Sequence, residues 1–196
     1  MSHLQEMILK HGKVFPNNVL KVDSFLNHQI DPVVIGEIEK EFYHYFKDCE
    51  ITKVFTIEAS GIAPALLVAQ HLGVPMLFAK KTQPTTLESE ARYETSIHSY
   101  TKNSTSQVMV SKDYLHAEDK VLIVDDFLAN GQAALGLIDL VAQAGAETVG
   151  VGICIEKAFQ PGRKLIEEKG VDVFSICRIA SLENGQVTFV DENQAL

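Results

Sequence analysis

The sequence contains few of the features that mark secreted, membrane-spanning or disordered chains. It has only three cysteines, and because Cys49, Cys154 and Cys177 are widely spaced with no CxxC pair, we expect buried thiols rather than a disulfide framework. No apolar run approaches the ~20 residues of a membrane span, and the first residues lack the basic and apolar regions of a signal peptide. Twelve Gly and six Pro among 196 residues exclude low-complexity disorder. We therefore expect a cytoplasmic protein with no membrane partner.

Positive charge is also scarce, because 17 Lys and Arg face 26 Asp and Glu and give a net charge of −9 at pH 7. A broad nucleic-acid surface needs a basic field, so no nucleic-acid partner is predicted. A few local amides and cations can still hold a phosphate in an acidic protein. The seven histidines form no HxH or HExxH motif, and only His28 is close to a candidate site, so we predict no transition metal held by the protein.

Strand and helix patterns alternate along most of the chain. An N-terminal amphipathic helix is predicted to end at Gly12, and Asp31 and Pro32 are suited to begin a second helix. Predicted strands then alternate with predicted helices: strands at 53–57, 75–79, 121–124, 148–155 and 171–179, helices at 62–71, 133–144 and 162–169. This alternation predicts an α/β fold with a mostly parallel sheet, whose ligands bind at the carboxyl ends of the strands.

One stretch, residues 80–106, interrupts the alternation because it is rich in Ser and Thr and poor in core residues. Two interpretations remain open for it. It is a solvated hairpin, or it is a mobile lid over a site, since long segments of this kind in compact domains are often functional.

The most informative run, residues 121–134, combines a buried strand, two adjacent carboxylates, a turn of small residues and a helix. Asp125 and Asp126 repel each other and therefore favour hydroxyl donors, a metal or a developing cation nearby. The turn and the following helix offer unsatisfied N–H groups and the positive end of the helix dipole, which favour a phosphate. Gly131 lets the backbone approach that phosphate closely.

The whole run resembles the diphosphoribosyl-binding signature of the type I phosphoribosyltransferases, although Asn130 stands where that family usually has Thr, and Gln132 where Gly or Ser is common. Residues 20–32, 57–64 and 155–163 extend the resemblance to the bacterial branch of the family that acts on xanthine, over about residues 15–190. The Asn130 and Gln132 departures are similar to the usual form of that branch.

The resemblance implies a fold and a reaction. The fold is a single domain, 1–196, of the type I phosphoribosyltransferase fold: a mostly parallel central sheet flanked by helices, a small hood from roughly 1–30 and 157–196, and a flexible lid at roughly 80–106. The implied reaction transfers a phosphoribosyl group from 5-phospho-α-D-ribose 1-diphosphate (the ribosyl diphosphate below) to xanthine, in purine salvage, as a homodimer. Mg²⁺ is the implied cofactor, carried by the substrate diphosphate.

The resemblance also implies roles for individual residues. Asp125 and Asp126 are expected to contact the ribose hydroxyls, directly or through water to hold Mg²⁺, and to stabilise positive charge on the ribose in the transition state. The residues expected to bind the ribosyl diphosphate are Ala59, Ser60, Gly61, Lys80, Ala129, Asn130, Gly131, Gln132 and Ala133. The residues expected to bind xanthine are Leu20, Asn27, Lys157 and Phe159. Lys81 is the alternative to Lys80 for neutralising the pyrophosphate.

Two alternatives remain open. A sister enzyme that acts on guanine, hypoxanthine or adenine would share the 121–134 run, and only the base-binding segments argue against it. A transcriptional regulator that uses this fold to sense the ribosyl diphosphate would need a basic DNA-binding module, which an acidic chain does not suggest.

Overall fold

The structure, a computed structural model, describes residues 1–81, 91–99 and 104–191. The α-helices of this part of the chain are α1 His3–His11, α2 Pro32–Phe46, α3 Ile62–Leu72, α4 Gln132–Gln143 and α5 Gly162–Glu167. The strands are β1 Lys13–Phe15, β2 Val19–Lys21, β3 Lys53–Ile57, β4 Met76–Ala79, β5 Arg92–Ser99, β6 Ser104–Ser111, β7 Lys120–Leu128, β8 Glu147–Lys157, β9 Val173–Ser181 and β10 Thr188–Phe189. A π-helical turn, Asp23–Asn27, and a 3₁₀ turn, Glu183–Gly185, complete the regular structure.

A six-stranded sheet with the order β10–β9–β8–β7–β3–β4 forms the centre of the fold. All neighbouring pairs are parallel except β10 and β9, which run antiparallel. The predicted α/β fold with a mostly parallel sheet is therefore confirmed. Because the carboxyl ends of β3, β4, β7 and β8 meet at one edge of the sheet, the segments that follow these strands come together there.

The helix boundaries follow from local chemistry that the sequence shows. Ser2 and Gln5 form a reciprocal capping box at the start of α1. The Asp31 carboxylate accepts the N–H groups of Val33 and Val34 at 2.8 and 3.3 Å, and Pro32 follows as the first residue of α2. The predicted beginning of the second helix is therefore confirmed.

Apolar residues cover both faces of the sheet, which explains why its inner strands are continuous apolar runs. On one face, α1, α2 and α3 pack through residues such as Ile8, Phe42 and Val68. On the other face, α4 packs through Leu137 and Leu140, together with α5 and the hairpin formed by β5 and β6.

β5 lies within the stretch 80–106, for which two interpretations are open, and β6 begins there and continues to Ser111. A close contact holds β5 against α4. A Cβ atom added at Gly136 would lie 2.6 Å from the side chain of Ile97, so only glycine at this point lets the hairpin approach the helix. The rest of the stretch predicted as a lid, residues 82–90 and 100–103, lies outside the described residues. The lid, and the hood assigned to the two ends of the chain, stay predictions.

The structure differs from the sequence-based prediction in two ways that matter for the site. β7 continues through both acidic residues to Leu128 instead of ending at Val124, because its hydrogen-bonded ladder with β8 extends to Glu156. Short strands at 13–15 and 188–189 were missed, since two or three residues are too few to show a period.

Among the described residues, no helix is long and apolar enough to cross a membrane.

Candidate active site

Two adjacent carboxyl groups lie inside β7, close to its carboxyl end. Asp125 and Asp126 are 5% and 9% exposed. Asp125 Oδ1 accepts the backbone N–H of Asp126 at 2.9 Å, and Asp126 Oδ1 accepts the N–H of Phe127 at 3.0 Å. The second oxygen of Asp126 accepts a hydrogen bond from Asn27 Nδ2, also at 3.0 Å, which ties the π-helical turn to the acidic pair.

The electrostatic surroundings of the pair favour a positive partner. Burial, followed by the neighbouring charge of Asp126, raises the pKa of Asp125 well above its ordinary value, and the positive charge of Lys81 opposes the rise. A buried carboxylate is stabilised by hydroxyl donors, a cation or developing positive charge. The pair is therefore suited to a polar ligand that becomes more positive during reaction.

The loop that follows β3, residues 58–61, lies directly against this pair. A Cβ atom added at Gly61 would lie 2.1 Å from Thr56 Oγ1 and 2.9 Å from Asp125 Oδ1, so the loop backbone occupies the space beside the carboxylate. The peptide bond between Glu58 and Ala59 is cis. Glu58 Oε1 accepts the backbone N–H of Lys81, which joins the loop to the end of β4.

The turn that follows β7, residues 129–131, leads into the N-terminus of α4. Gly131 has a φ of +80°, a conformation that favours glycine, and a Cβ atom added there would lie 2.9 Å from the Cα atom of Gly162. Among the described residues, no side chain caps the first turn of α4. Its N–H groups and the positive end of the helix dipole are therefore available to an anion.

These segments border one open cavity of about 310 Å³. Of the residues predicted to bind the ribosyl diphosphate or act in catalysis, the cavity is lined by Ser60, Asp125, Asp126, Ala129, Asn130, Gly131, Gln132 and Ala133. Ala59 and Gly61 lie in the adjoining loop. The structure thus brings together the acidic pair, the 58–61 loop and the 129–131 turn, which come from separate parts of the sequence.

The two lysines after β4 lie in different surroundings. Lys81 lines the cavity, whereas Lys80 has its ammonium 5.8 Å from the centre of the Phe78 ring. The backbone of Lys80 exchanges two hydrogen bonds with Met109 of β6, which joins the end of β4 to the β5–β6 hairpin. The geometry favours Lys81, which was the alternative at the level of sequence, as the cation that faces the acidic pair.

None of the four residues predicted to bind the base lines the cavity, but Asn27 contacts Asp126 and Lys157 lies near Phe127, both of which do line it. Lys157 Nζ lies 5.8 Å from the Phe127 ring centre and donates a hydrogen bond to the carbonyl of Asn18 at 2.8 Å. Burial lowers the pKa of Lys157. Leu20 is buried on β2, and Phe159 is 40% exposed in the segment after β8.

Other lining residues were missed at the level of sequence. His98 and Ser106 on the β5–β6 hairpin line the cavity, as do Glu58 and Phe127. His98 lies in the stretch rich in Ser and Thr, where no motif distinguishes it, and sequence reasoning had placed only His28 near a candidate segment. A hairpin is one of the two interpretations of this stretch, but residue spacing alone gives neither the register of β5 with β6 nor the side chains that line the cavity.

Comparison with known proteins gives the same assignment over nearly the whole chain. Residues 21–185 match the family model described as phosphoribosyl transferase domain. The chain is 58% identical to the xanthine phosphoribosyltransferase of Acinetobacter baylyi and 56% identical to that of Macrococcus caseolyticus, covering 98% and 99% of this chain and 100% of both relatives.

Solved structures with a similar fold include adenine phosphoribosyltransferases. The enzyme from Rhodothermus marinus matches with a TM-score of 0.74 at 25% identity, over 89% of this chain and 98% of that one. The enzyme from Giardia lamblia, solved with 9-deazaadenine, matches with a TM-score of 0.73 at 23% identity, over 91% and 98%. At this distance the likeness concerns the fold.

Proposed function

Because this chain belongs to the phosphoribosyltransferase family, we propose that it transfers the 5-phosphoribosyl group of the ribosyl diphosphate to N9 of xanthine, forming xanthosine 5′-monophosphate and pyrophosphate. The observation that carries the proposal is the single cavity that joins a buried acidic pair to the uncapped N-terminus of α4. The choice of xanthine rests on the names of the relatives that match this chain at 55–58% identity.

The positions of the surrounding segments support one orientation of the phosphoribosyl group in the cavity. Backbone N–H groups of the 129–131 turn and of the first turn of α4 would bind the 5′-phosphate. The ribose hydroxyls would then donate hydrogen bonds to Asp125 and Asp126, and the backbone of the 58–61 loop together with Lys81 would bind the pyrophosphate. As the bond from C1 to pyrophosphate lengthens, positive charge grows on the ribose, and the two carboxylates stabilise it.

The base would lie beside Phe127. Lys157 has three N–H donors, of which one is used on the Asn18 carbonyl, so it can still donate to the 6-oxo group of a purine. Asn27 uses one N–H of its amide on Asp126 and keeps the other for the 2-oxo group that distinguishes xanthine from hypoxanthine. Phe159 offers an aromatic ring for stacking.

The residues present suit Mg²⁺ that arrives with the diphosphate. Mg²⁺ prefers oxygen ligands, and Asp125 and Asp126 are the carboxylates that would hold it, directly or through water. Oxygens of both carboxylates accept hydrogen bonds from Asn27 and from backbone N–H groups, and their remaining lone pairs would be available to the metal or to its water ligands. When bound, the ion would neutralise charge on the leaving pyrophosphate.

Two further features belong to this proposal. The homodimer implied by the resemblance can be tested by sedimentation of the purified protein. A cytoplasmic location is consistent with three unpaired cysteines, of which Cys154 and Cys177 are buried.

The test is a direct assay of base choice. The purified protein is mixed with Mg²⁺, the ribosyl diphosphate and xanthine, guanine, hypoxanthine or adenine in turn, and nucleotide formation is followed by absorbance with pyrophosphate measured in parallel. We expect the highest kcat/KM with xanthine. A preference for guanine would overturn the substrate and keep the transferase. No turnover with any base, together with a DNA complex in a gel-shift assay, would favour the regulator.

A further inference from the structure

The segment that runs from the last residue of β8 to the first residue of α5, residues 157–162, connects the two halves of the site. It begins with Lys157, beside the Phe127 ring, and it ends with Gly162 against the 129–131 turn. The N–H of Gly162 donates to the carbonyl of Ala129 at 3.0 Å. A Cβ atom added at Gly162 would lie 2.4 Å from that carbonyl oxygen and 2.9 Å from the nitrogen of Gly131. No side chain fits between the two backbones.

An ion pair closes this segment at both ends. Glu156, which precedes the segment, is only 2% exposed, and Arg163, which follows it, contacts both Glu156 oxygens. Arg163 Nε donates at 2.9 and 3.1 Å and Nη2 donates at 2.6 Å. Such a fork fixes direction as well as distance.

The same guanidinium also reaches β9, the next strand of the sheet. Arg163 Nη1 donates to the carbonyl of Val173 at 2.7 Å, and Nη2 lies 3.2 Å from Ser175 Oγ. Burial acts to raise the pKa of Glu156, but hydrogen bonds from Arg163 and Ser175 outweigh it and hold the pKa below its ordinary value. Glu156 is therefore a charged partner for Arg163 at neutral pH, and the pair anchors the segment to two strands.

We propose that Arg163 is a positioning residue that sets the separation between the base subsite and the 5′-phosphate subsite. The inference rests on the proposed function, because it assumes that Lys157 meets the base and that the 129–131 turn meets the phosphate. A nucleotide spans both subsites at one fixed length. Glu156 directly precedes Lys157, and Arg163 directly follows Gly162, which contacts the 129–131 turn. The ion pair between Glu156 and Arg163 therefore fixes the distance between Lys157 and that turn.

The experiment compares a ligand that spans both subsites with one that fills a single subsite. Binding of xanthosine 5′-monophosphate and of ribose 5-phosphate is measured by calorimetry on the wild type, Arg163→Ala and Arg163→Lys. Lys164→Ala is the matched control, since Lys164 is the next residue of α5, and its ammonium lies 3.9 Å from Glu168 on the exposed surface. Melting temperatures of all four proteins are recorded, and binding is measured well below them.

We expect Arg163→Ala to weaken binding of the nucleotide by roughly ten- to a hundredfold, because small displacements of positioned groups cost that much. Ribose 5-phosphate should lose clearly less affinity. Arg163→Lys should recover part of the loss, because an ammonium keeps the charge beside Glu156 but cannot form the fork. Lys164→Ala should bind both ligands like the wild type.

Equal losses for the two ligands, or unchanged nucleotide binding in Arg163→Ala, would overturn the positioning role. If Arg163→Ala fails to fold, the same comparison on Arg163→Lys decides, with a smaller expected difference. A wild type that binds neither ligand and shows no turnover would contradict the proposed function instead, so the two failures are distinguishable.

Discussion

At the residue scale, the acidic pair is expected to destabilise the folded protein, although it is proposed to stabilise the substrate during the reaction. Asp125 is almost fully buried beside a second carboxyl group, and both conditions disfavour its ionised form. The surrounding sequence offers it a backbone N–H of Asp126 and the distant charge of Lys81. The proposed substrate would supply the hydroxyl donors and the positive charge that favour the ionised form. Asp125, which is proposed to act in the reaction, should therefore lower the stability of the substrate-free protein.

The variant Asp125→Asn tests this conflict. An acid whose pKa is raised by folding binds its proton more tightly when folded, so its contribution to stability is fully present below the unfolded pKa of about 3.9 and is lost as the pH rises through the folded pKa. At pH 7 the wild type has lost at least part of that contribution, because the carboxyl group of the unfolded chain is ionised there. The uncharged Asn should raise the melting temperature there by a few degrees, roughly 2–4 °C for each kcal/mol.

The difference in melting temperature between Asp125→Asn and the wild type should shrink as the pH is lowered towards 4. Thermal unfolding at several pH values measures this difference. Turnover of Asp125→Asn, and still more of the double variant with Asp126→Asn, should fall by orders of magnitude while the circular dichroism stays native. A double variant with near-normal turnover would remove the pair from catalysis. A melting temperature that falls at pH 7 would contradict the stability argument.

Asn27 has one observed contact, with Asp126, and one proposed contact, with the base, and a single variant can distinguish their effects. Its amide holds Asp126, and it is the residue proposed to recognise the 2-oxo group of xanthine. Loss of Asp126 support in Asn27→Ala should slow every base equally, whereas loss of the 2-oxo contact should slow xanthine alone. One hydrogen bond between neutral groups contributes about 0.5–1.5 kcal/mol, so the preference for xanthine over hypoxanthine should fall roughly two- to tenfold.

The measurement is the ratio of kcat/KM for the two bases in the wild type and in Asn27→Ala. Because support of Asp126 affects numerator and denominator alike, the ratio isolates the contact with the base. A ratio that does not change, with both rates lowered, would mean that Asn27 acts only through Asp126.

At the element scale, the sequence predicts what local chemistry controls. The beginning of α2 follows from Asp31 and Pro32, and β3 has the predicted bounds, with all five of its residues buried. The end of β7 could not be predicted, since pairing with β8 extends the strand through two acidic residues that have low strand propensity. The same limit applies to His98, which depends on the pairing of β5 with β6.

The 129–131 turn permits a prediction with a control inside the same molecule. Gly131 and Gly73 both have positive φ, +80° and +69°, but an added Cβ atom meets Gly162 in the first and nothing within 4 Å in the second. Each change to Ala should cost about 1 kcal/mol of backbone strain. Only Gly131→Ala should also raise the KM for the ribosyl diphosphate, by about tenfold or more, since it displaces the backbone that would meet the phosphate.

Steady-state kinetics with each substrate varied in turn, and thermal unfolding of both variants, provide the comparison. The KM for xanthine should rise less than that for the ribosyl diphosphate in Gly131→Ala. If Gly73→Ala raises the KM as much, the effect comes from general destabilisation, and the turn is not the phosphate subsite.

At the scale of the whole molecule, a protein of net charge −9 is proposed to bind a substrate with several phosphate groups. Backbone N–H groups and a few cations would achieve this locally, since the N-terminus of α4, the 58–61 loop and Lys81 converge where the sheet strands end. The sequence shows each of these segments separately. Their common cavity depends on strand order, and the contact of Gly162 with Ala129 depends on how α5 returns to the sheet, which no local pattern contains.

The proposed source of the metal gives the last prediction. No group of three or more His, Cys, Asp or Glu residues that could hold a metal ion occurs in the described parts of the chain. A metal bound by the folded protein stabilises it by mass action, so its removal lowers the melting temperature, whereas a metal that arrives with the diphosphate does not affect the free protein. We therefore expect EDTA to leave the melting temperature of the substrate-free protein unchanged. EDTA should stop turnover, and excess Mg²⁺ should restore turnover. Thermal unfolding and the pyrophosphate assay, each run with EDTA and with EDTA plus Mg²⁺, measure the two effects. A melting temperature lowered by EDTA would mean that the protein holds its own metal, and turnover that persists in EDTA would remove Mg²⁺ from the proposed reaction.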